Sequence, residues 1–306
     1  MKIELFYPSF TRKALTFTID DGNMTYDRML LDILKPVGIK GTFNLCSNLH
    51  KGREEQTREF YEGYGIANHC KYHPLVNFDG KEYILSDEPF DPEKSSAEFI
   101  YRVNGKDGFF WCIRPNGWRE MIYESDFKRY ADECHSELNT IFGEGMVKDF
   151  VWPYGEQDNA VVKEHVKSTY RSVRKTGCTY DLDGFAIPRD KKAWSYNADH
   201  TNLLDVMRRY EEYPDDGGLK FFAFGVHSVD FERANKWEDL KTFARMYGNH
   251  HDTYWYASVE DIFDYEEAIE LLCFDNSRIE NKSHIPLYIS VDGEKRVLAP
   301  GEILIP

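Results

Sequence analysis

The chain has 306 residues, and its 38 Lys and Arg against 53 Asp and Glu give a formal net charge of −15. That balance argues against a nucleic-acid binder, which draws its affinity from basic contacts to phosphates, and against docking on an anionic membrane. The 42% hydrophobic and 15% aromatic residues supply a core, and no apolar run approaches the roughly 18 residues of a membrane span.

In chain order, ALTFTI (14–19) has the pattern of a strand and ends at Asp20-Asp21-Gly22. Thr25 is the expected cap of a helix carrying Met29, Leu30, Ile33 and Leu34 at helical spacing. Pro36 and Gly38 stop it, and IKGTFNL (39–45) starts a second strand. This is a βαβ unit, which implies parallel strands and a right-handed crossover. Residues 79–118 are rich in Gly, Pro, Asp and aromatics, and predict an irregular or hairpin insertion. A helix over Phe127, Tyr130, Ala131, Cys134, Leu138 and Ile141 ends near Gly143. Then come a strand KDFVW (148–152), the turn PYG, a helix around Val161, Val162, His165 and Val166, and a short strand YRSVRK (170–175).

Thr201 is expected to open a helix with Leu204, Met207 and Tyr210 inward. LKFFAFGV (219–226) is the kind of continuous apolar strand that a parallel sheet buries on both faces. Asn235 is the expected cap of a helix with Trp237, Leu240, Phe243, Ala244 and Tyr247. TYWYA (253–257) follows as a strand, and Ser258 with Asp261 forms a capping box for the last helix. Residues 276–306 are β-rich, with an Asp292-Gly293 turn, and are too few for a core of their own. The expected architecture is an α/β body over 1–275, a closed or nearly closed barrel, with a small C-terminal β extension packed on it. Its site belongs at the carboxyl ends of the strands.

Four clusters fall at such ends. Asp20-Asp21 would repel each other unless a cation or hydrogen bonds absorbed the charge; the same DG is otherwise a hairpin turn. His69 and His73 are four apart, so on one helical turn both rings would project to the same side. Two neutral imidazoles and a carboxylate make a three-ligand site with an open position, as in hydrolytic zinc centres; the plain alternative is two histidines before Pro74. Pro153-Tyr154-Gly155 is a tight turn whose backbone N–H groups could hold an oxyanion. His227 ends the most apolar strand, where it is either a structural residue or a general acid or base.

In this order the segments LTFTIDDGNMTYDRMLLDILKPVGIKGTFNL (15–45), NHCKYHP (68–74), FVWPYG (150–155) and FGVHS (224–228) resemble the successive motifs of the polysaccharide deacetylases, carbohydrate esterase family 4. The resemblance covers about residues 10–270. It implies a distorted (β/α) barrel and hydrolysis of N-acetyl or, more rarely, O-acetyl groups on saccharides. It implies Asp20 as general base, and Asp21, His69 and His73 as ligands of a divalent metal. Zn²⁺ is expected, with Co²⁺, Ni²⁺ or Fe²⁺ suited to the same ligands. It further implies His227 as the acid that protonates the departing amine, the Tyr154 N–H as an oxyanion donor, and Trp194, in PRDKKAW (188–194), as a wall of the pocket. Many members carry a third-motif arginine that pairs with the catalytic carboxylate. Here Val151 stands in its place, and Arg189 is the expected substitute.

An unactivated amide needs a better nucleophile than neutral water and an acid to protonate its nitrogen, and Asp20 with His227 would be that pair. The expected partner is an N-acetylated saccharide. The missing third-motif arginine keeps open an allantoinase-like C–N hydrolase acting on a cyclic imide or other non-sugar amide. A non-catalytic sugar-binding protein is the reading from another class. Cys46, Cys70, Cys112, Cys134, Cys178 and Cys273 are scattered without a CxxC pair, and the opening apolar stretch is too short for a signal peptide. Both features set a cytoplasmic location as the expectation.

Overall fold

The computed structural model describes residues 1–76, 84–85, 101–104, 110–114, 117–155, 159–274 and 278–305; at 84–85, 101–104, 110–114 and 117–120 the backbone alone is described. In chain order the elements are β1 (Ile3–Phe6), β2 (Lys13–Asp21), α1 (Met24–Leu34), β3 (Gly41–Leu45), α2 (Glu54–Phe60), β4 (Gly65–Asn68) and β5 (Leu75–Val76). Next come β6 (Ile84–Leu85), β7 (Tyr101–Asn104), β8 (Phe110–Arg114), β9 (Gly117–Ile122), α3 (Glu124–Phe142), β10 (Asp149–Val151), α4 (Ala160–Thr169) and β11 (Ser172–Arg174). The chain continues through α5 (Leu203–Glu212), β12 (Lys220–His227), α6 (Ser228–Arg233), α7 (Trp237–Tyr247), β13 (Tyr254–Tyr256) and α8 (Val259–Glu270). It finishes with β14 (Leu272–Phe274), β15 (Ile279–Asn281), β16 (Leu287–Val291), β17 (Glu294–Leu298) and β18 (Ile303–Leu304).

The body is a distorted (β/α) barrel. Its parallel strands run in the order β11-β10-β4-β3-β2-β12, with β13 also on β2. Residues 194–198 close the circle between β11 and β12: the Trp194 N–H donates to the Val173 carbonyl at 3.3 Å, and the Gly225 N–H to the Ala198 carbonyl at 2.9 Å. Strand alternation then sorts the side chains. Leu15, Phe17 and Ile19 of β2, with Phe222 and Phe224 of β12, pack outward under α1, α5 and α7 against Leu30, Tyr210 and Phe243. Asp20 and Thr18, the alternate residues, turn inward and share the Asn44 amide of β3.

At the amino ends of the strands, α8 fills the barrel with Ile262 and Phe263. Glu260 of this helix accepts the Thr42 hydroxyl at 2.6 Å. Its carboxyl group occupies the space where a side chain at Gly65 would begin, so any larger residue opening β4 would displace it.

Some helix starts differ from expectation. Asn23, not Thr25, caps α1, accepting the Thr25 N–H at 3.3 Å. Helix α5 begins at Leu203 behind Asn202, two residues after Thr201. Helix α7 begins behind Lys236, because Asn235 adopts φ 55° to turn the chain out of α6, a short helix that the sequence pattern did not mark. The Ser258–Asp261 capping box forms as expected.

The C-terminal β16–β17 hairpin turns at Asp292-Gly293, both with positive φ. Leu287, Ile289, Val291 and Leu298 pack on Ala14, Ile262 and Phe263 of the barrel base. The first strand, β1, pairs antiparallel with β16, so the two ends of the chain share one sheet. In the 79–118 segment, β7, β8 and β9 pair antiparallel and β5 joins β9; the rest of that expected insertion lies outside the described residues. Among the described residues no helix is long and apolar enough to cross a membrane, and Cys46, Cys70, Cys134, Cys178 and Cys273 are free thiols.

Candidate active site

The site lies at the carboxyl ends of β2, β4, β10, β11 and β12. Strand β2 delivers Asp20 inward, and left-handed backbone at Asp21 (φ 77°) and Gly22 (φ 80°) turns the chain away before α1. His69 follows β4 and is fully buried. His69 and His73 do not share a helical turn. They stand on a loop whose left-handed residues, Cys70 (φ 62°) and His73 (φ 52°), fold it back until the two ring centroids are 4.6 Å apart. Cys70 packs into the core beside Phe127 and Phe150, away from the imidazoles.

Asp21 Oδ1 lies 3.6 Å from Nε2 of His69 and 3.6 Å from Nε2 of His73. The three donor atoms all lie within 4.8 Å of one another. The Nδ1–H of His69 donates to the Val151 carbonyl at 2.9 Å, which leaves Nε2 with its lone pair toward Asp21. Both Asp21 Oδ1 and His69 Nε2 are buried without a hydrogen-bond partner. Burial depresses the pKa of His69, and burial together with His69 takes His73 down to about 4, so both rings are neutral at pH 7. Lone pairs converging with no proton between them fit a cation, and this donor set suits zinc with an open position.

Asp20 is held from two sides. Its Oδ1 accepts the Asn44 amide at 2.7 Å and the Arg174 guanidinium. Burial would raise its pKa, but the charge and hydrogen bond of Arg174, with the charge of His227, outweigh that and hold the carboxyl well below the usual carboxylate range. The partner of this carboxylate is therefore Arg174, which is fully buried on β11, and not Arg189, which is exposed outside the cleft. Val151 and Arg174 are register partners on adjacent strands, so the guanidinium enters one strand over from the position where the sequence comparison sought it.

Trp194 does not line the pocket. It is buried at the barrel base against Phe221 and Phe263. Two residues on, Tyr196 lies 5.2 Å from the Arg174 guanidinium and covers Gly225.

His227 ends β12 as the register neighbour of Asp20, and its Nδ1–H donates to Asp230 Oδ2 at 2.9 Å. Burial works against its charge, but the Asp230 hydrogen bond and the carboxylates of Asp20 and Asp21 prevail and raise its pKa to about 9. Asp20, Asp21, His73 and His227 line a cleft of 490 Å³. Tyr154, at φ 58°, stands exposed at the turn after β10 with its ring 4.3 Å from that of His73. Arg174, Asn44, Tyr196 and Asp230 had not been singled out in the sequence; the signals for the first and last were an arginine on an inward strand position and an Asp three residues after His227.

The family model described as polysaccharide deacetylase matches residues 8–173. Among solved structures, one from Mycobacterium smegmatis assigned to the polysaccharide deacetylases is 13% identical, with 87% of this chain and 94% of that one covered and a TM-score of 0.51. The Xyl-CE4 domain of a multidomain xylanase from the hindgut metagenome of Trinervitermes trinervoides is 14% identical (84% and 92% covered, TM-score 0.46). A CE4-family pseudoenzyme from Bacillus anthracis is 11% identical (82% and 65% covered, TM-score 0.43). No curated protein matches the chain.

Proposed function

The chain belongs to the polysaccharide deacetylase family, and on that premise we propose that it is a metal-dependent hydrolase that removes N-acetyl groups from a saccharide. The observation that carries this reading is the convergence of Asp21, His69 and His73 beside a carboxylate kept ionised and an imidazole kept protonated. Asp21, His69 and His73 would hold a divalent transition metal, Zn²⁺ foremost. Such an ion, when bound, polarises a carbonyl and makes water acidic enough to serve as a nucleophile at neutral pH. Asp20, its Oδ1 occupied by Asn44 and Arg174, accepts the proton of the attacking water through Oδ2. His227, charged below about pH 9, delivers a proton to the leaving nitrogen, since an amine departs poorly without one. The Tyr154 N–H is assigned to the developing oxyanion. Arg174 supplies the charge that the third motif lacks.

Protein purified without added metal or chelator is expected to carry about one equivalent of a transition metal and to release acetate from N-acetylated oligosaccharides. The His69→Ala variant, prepared identically, loses both. Absence of bound metal even after equilibration with excess Zn²⁺ overturns the proposal and favours a non-catalytic sugar-binding role.

The protonation of His227 gives a pH prediction. Its raised pKa puts the alkaline limb of kcat/KM near pH 9, because only the protonated ring can act as acid. Asp230→Asn removes the carboxylate that holds the charge, so the limb moves to lower pH while metal content stays the same. An alkaline limb that stays in place in this variant would show that Asp230 does not tune the acid.

A further inference from the structure

Two arginines line the cleft without a part in the chemistry above. Arg53 precedes α2 in the connection after β3, and Arg233 ends α6, which follows β12. Because β3 and β12 flank β2, the two residues come from the loops on either side of Asp20-Asp21. Arg53 is positioned by its own backbone, with Nε and Nη2 both donating to the Leu49 carbonyl, at 3.0 and 2.5 Å. No carboxylate among the described residues pairs with it. Arg233 makes one long contact, 3.4 Å, to Asp230. Of the other acidic side chains of the cleft, Asp20 is engaged by Arg174, and Asp21 converges with His69 and His73 on the candidate metal position.

A guanidinium also donates to neutral hydroxyls, but Arg53 has no counter-charge among the described residues, and Arg233 has only its long contact to Asp230, which His227 already engages. The planar guanidinium fork matches a carboxylate or a phosphate. The setting strengthens the argument: a chain of net charge −15 repels anions at long range, so an anionic ligand requires local positive charge at its binding point. We infer that the cleft accepts an N-acetylated saccharide carrying an oxyanion substituent, carboxylate or phosphate, on or beside the sugar that loses its acetyl group, with Arg53 and Arg233 as its anchors. The inference rests on the deacetylase reading.

The test compares three probes: an N-acetylglucosamine trimer, the same trimer oxidised at C6 to the carboxylate, and its 6-phosphate. Both kcat/KM for acetate release and equilibrium binding are measured at low salt on the metal-loaded protein. The wild type is expected to favour one anionic probe over the neutral one by about tenfold or more, the scale of one charge-assisted contact pair, and the favoured probe identifies the oxyanion. In Arg53→Gln/Arg233→Gln the ratio falls toward one. In Arg58→Gln, which removes an equal charge from α2 outside the cleft, it stays at the wild-type value. Equal use of neutral and anionic probes by the wild type, or an undiminished ratio in the double variant, overturns the inference and leaves the deacetylase reading in place. Selective binding of an anionic probe with no hydrolysis of any of the three overturns the deacetylase reading and leaves the anion site.

Discussion

Asp20→Asn is expected to lower kcat by about 10²–10⁴-fold, the range set by a positioned proton-transfer group, while metal content stays at the wild-type level. The two halves of this result come from different atoms. The converging donors belong to Asp21, His69 and His73, whereas Asp20 turns inward from β2 toward Asn44 and Arg174. An asparagine there keeps an oxygen for the guanidinium but has no basic site for a proton. Asp21→Ala, one residue on, is expected to lose the metal and activity together. Acetate release and metal analysis on the two variants, with thermal melts to fix the folded fraction, decide the matter. An Asp20→Asn enzyme that turns over within about threefold of wild type sinks the base assignment.

The barrel was legible because its signals are local. Period-2 runs such as ALTFTI, apolar helix faces such as Phe127–Ile141 and the Ser258 capping box each state their element within a few residues. The clusters of the candidate site were legible for a related reason: each sits at the carboxyl end of a strand, where topology alone brings distant segments together. What failed depended on backbone conformation or on strands far apart in sequence. A spacing of four between His69 and His73 suggested a helical turn, but two left-handed residues bring the rings together instead. The pairing of Arg174 with Asp20 spans the whole sheet, and only the β10–β11 register reveals that Arg174 stands beside Val151. Trp194 and Tyr196 are two residues apart, yet which of them reaches the site depends on how high each sits in the barrel. The base of the barrel takes Trp194.

Arg174→Met is expected to cost about 3–5 kcal/mol of stability at neutral pH, the usual penalty for leaving a buried charge without its partner. In the wild type the Asp20 carboxyl is held below its unfolded pKa. Its contribution to stability is therefore complete above that unfolded value and is lost as the pH falls. Without the guanidinium, burial dominates and raises the folded pKa, so the sign reverses: this group then destabilises at neutral pH and the penalty eases on acidification. The same shift moves the acid limb of kcat/KM to higher pH. Asp20→Asn/Arg174→Met removes the orphaned charge, so the double variant should be more stable than Arg174→Met alone, a coupling that a double-mutant cycle isolates. A further variant tests whether the carboxylate needs this particular strand. Val151 and Arg174 are paired in register and both turn inward, so Val151→Arg/Arg174→Val returns a guanidinium to the barrel from the adjacent strand, about 4.8 Å away. It should return the acid limb toward its wild-type position. An Arg174→Met enzyme with wild-type stability and an unmoved acid limb would mean that Asn44 alone suffices to keep Asp20 ionised.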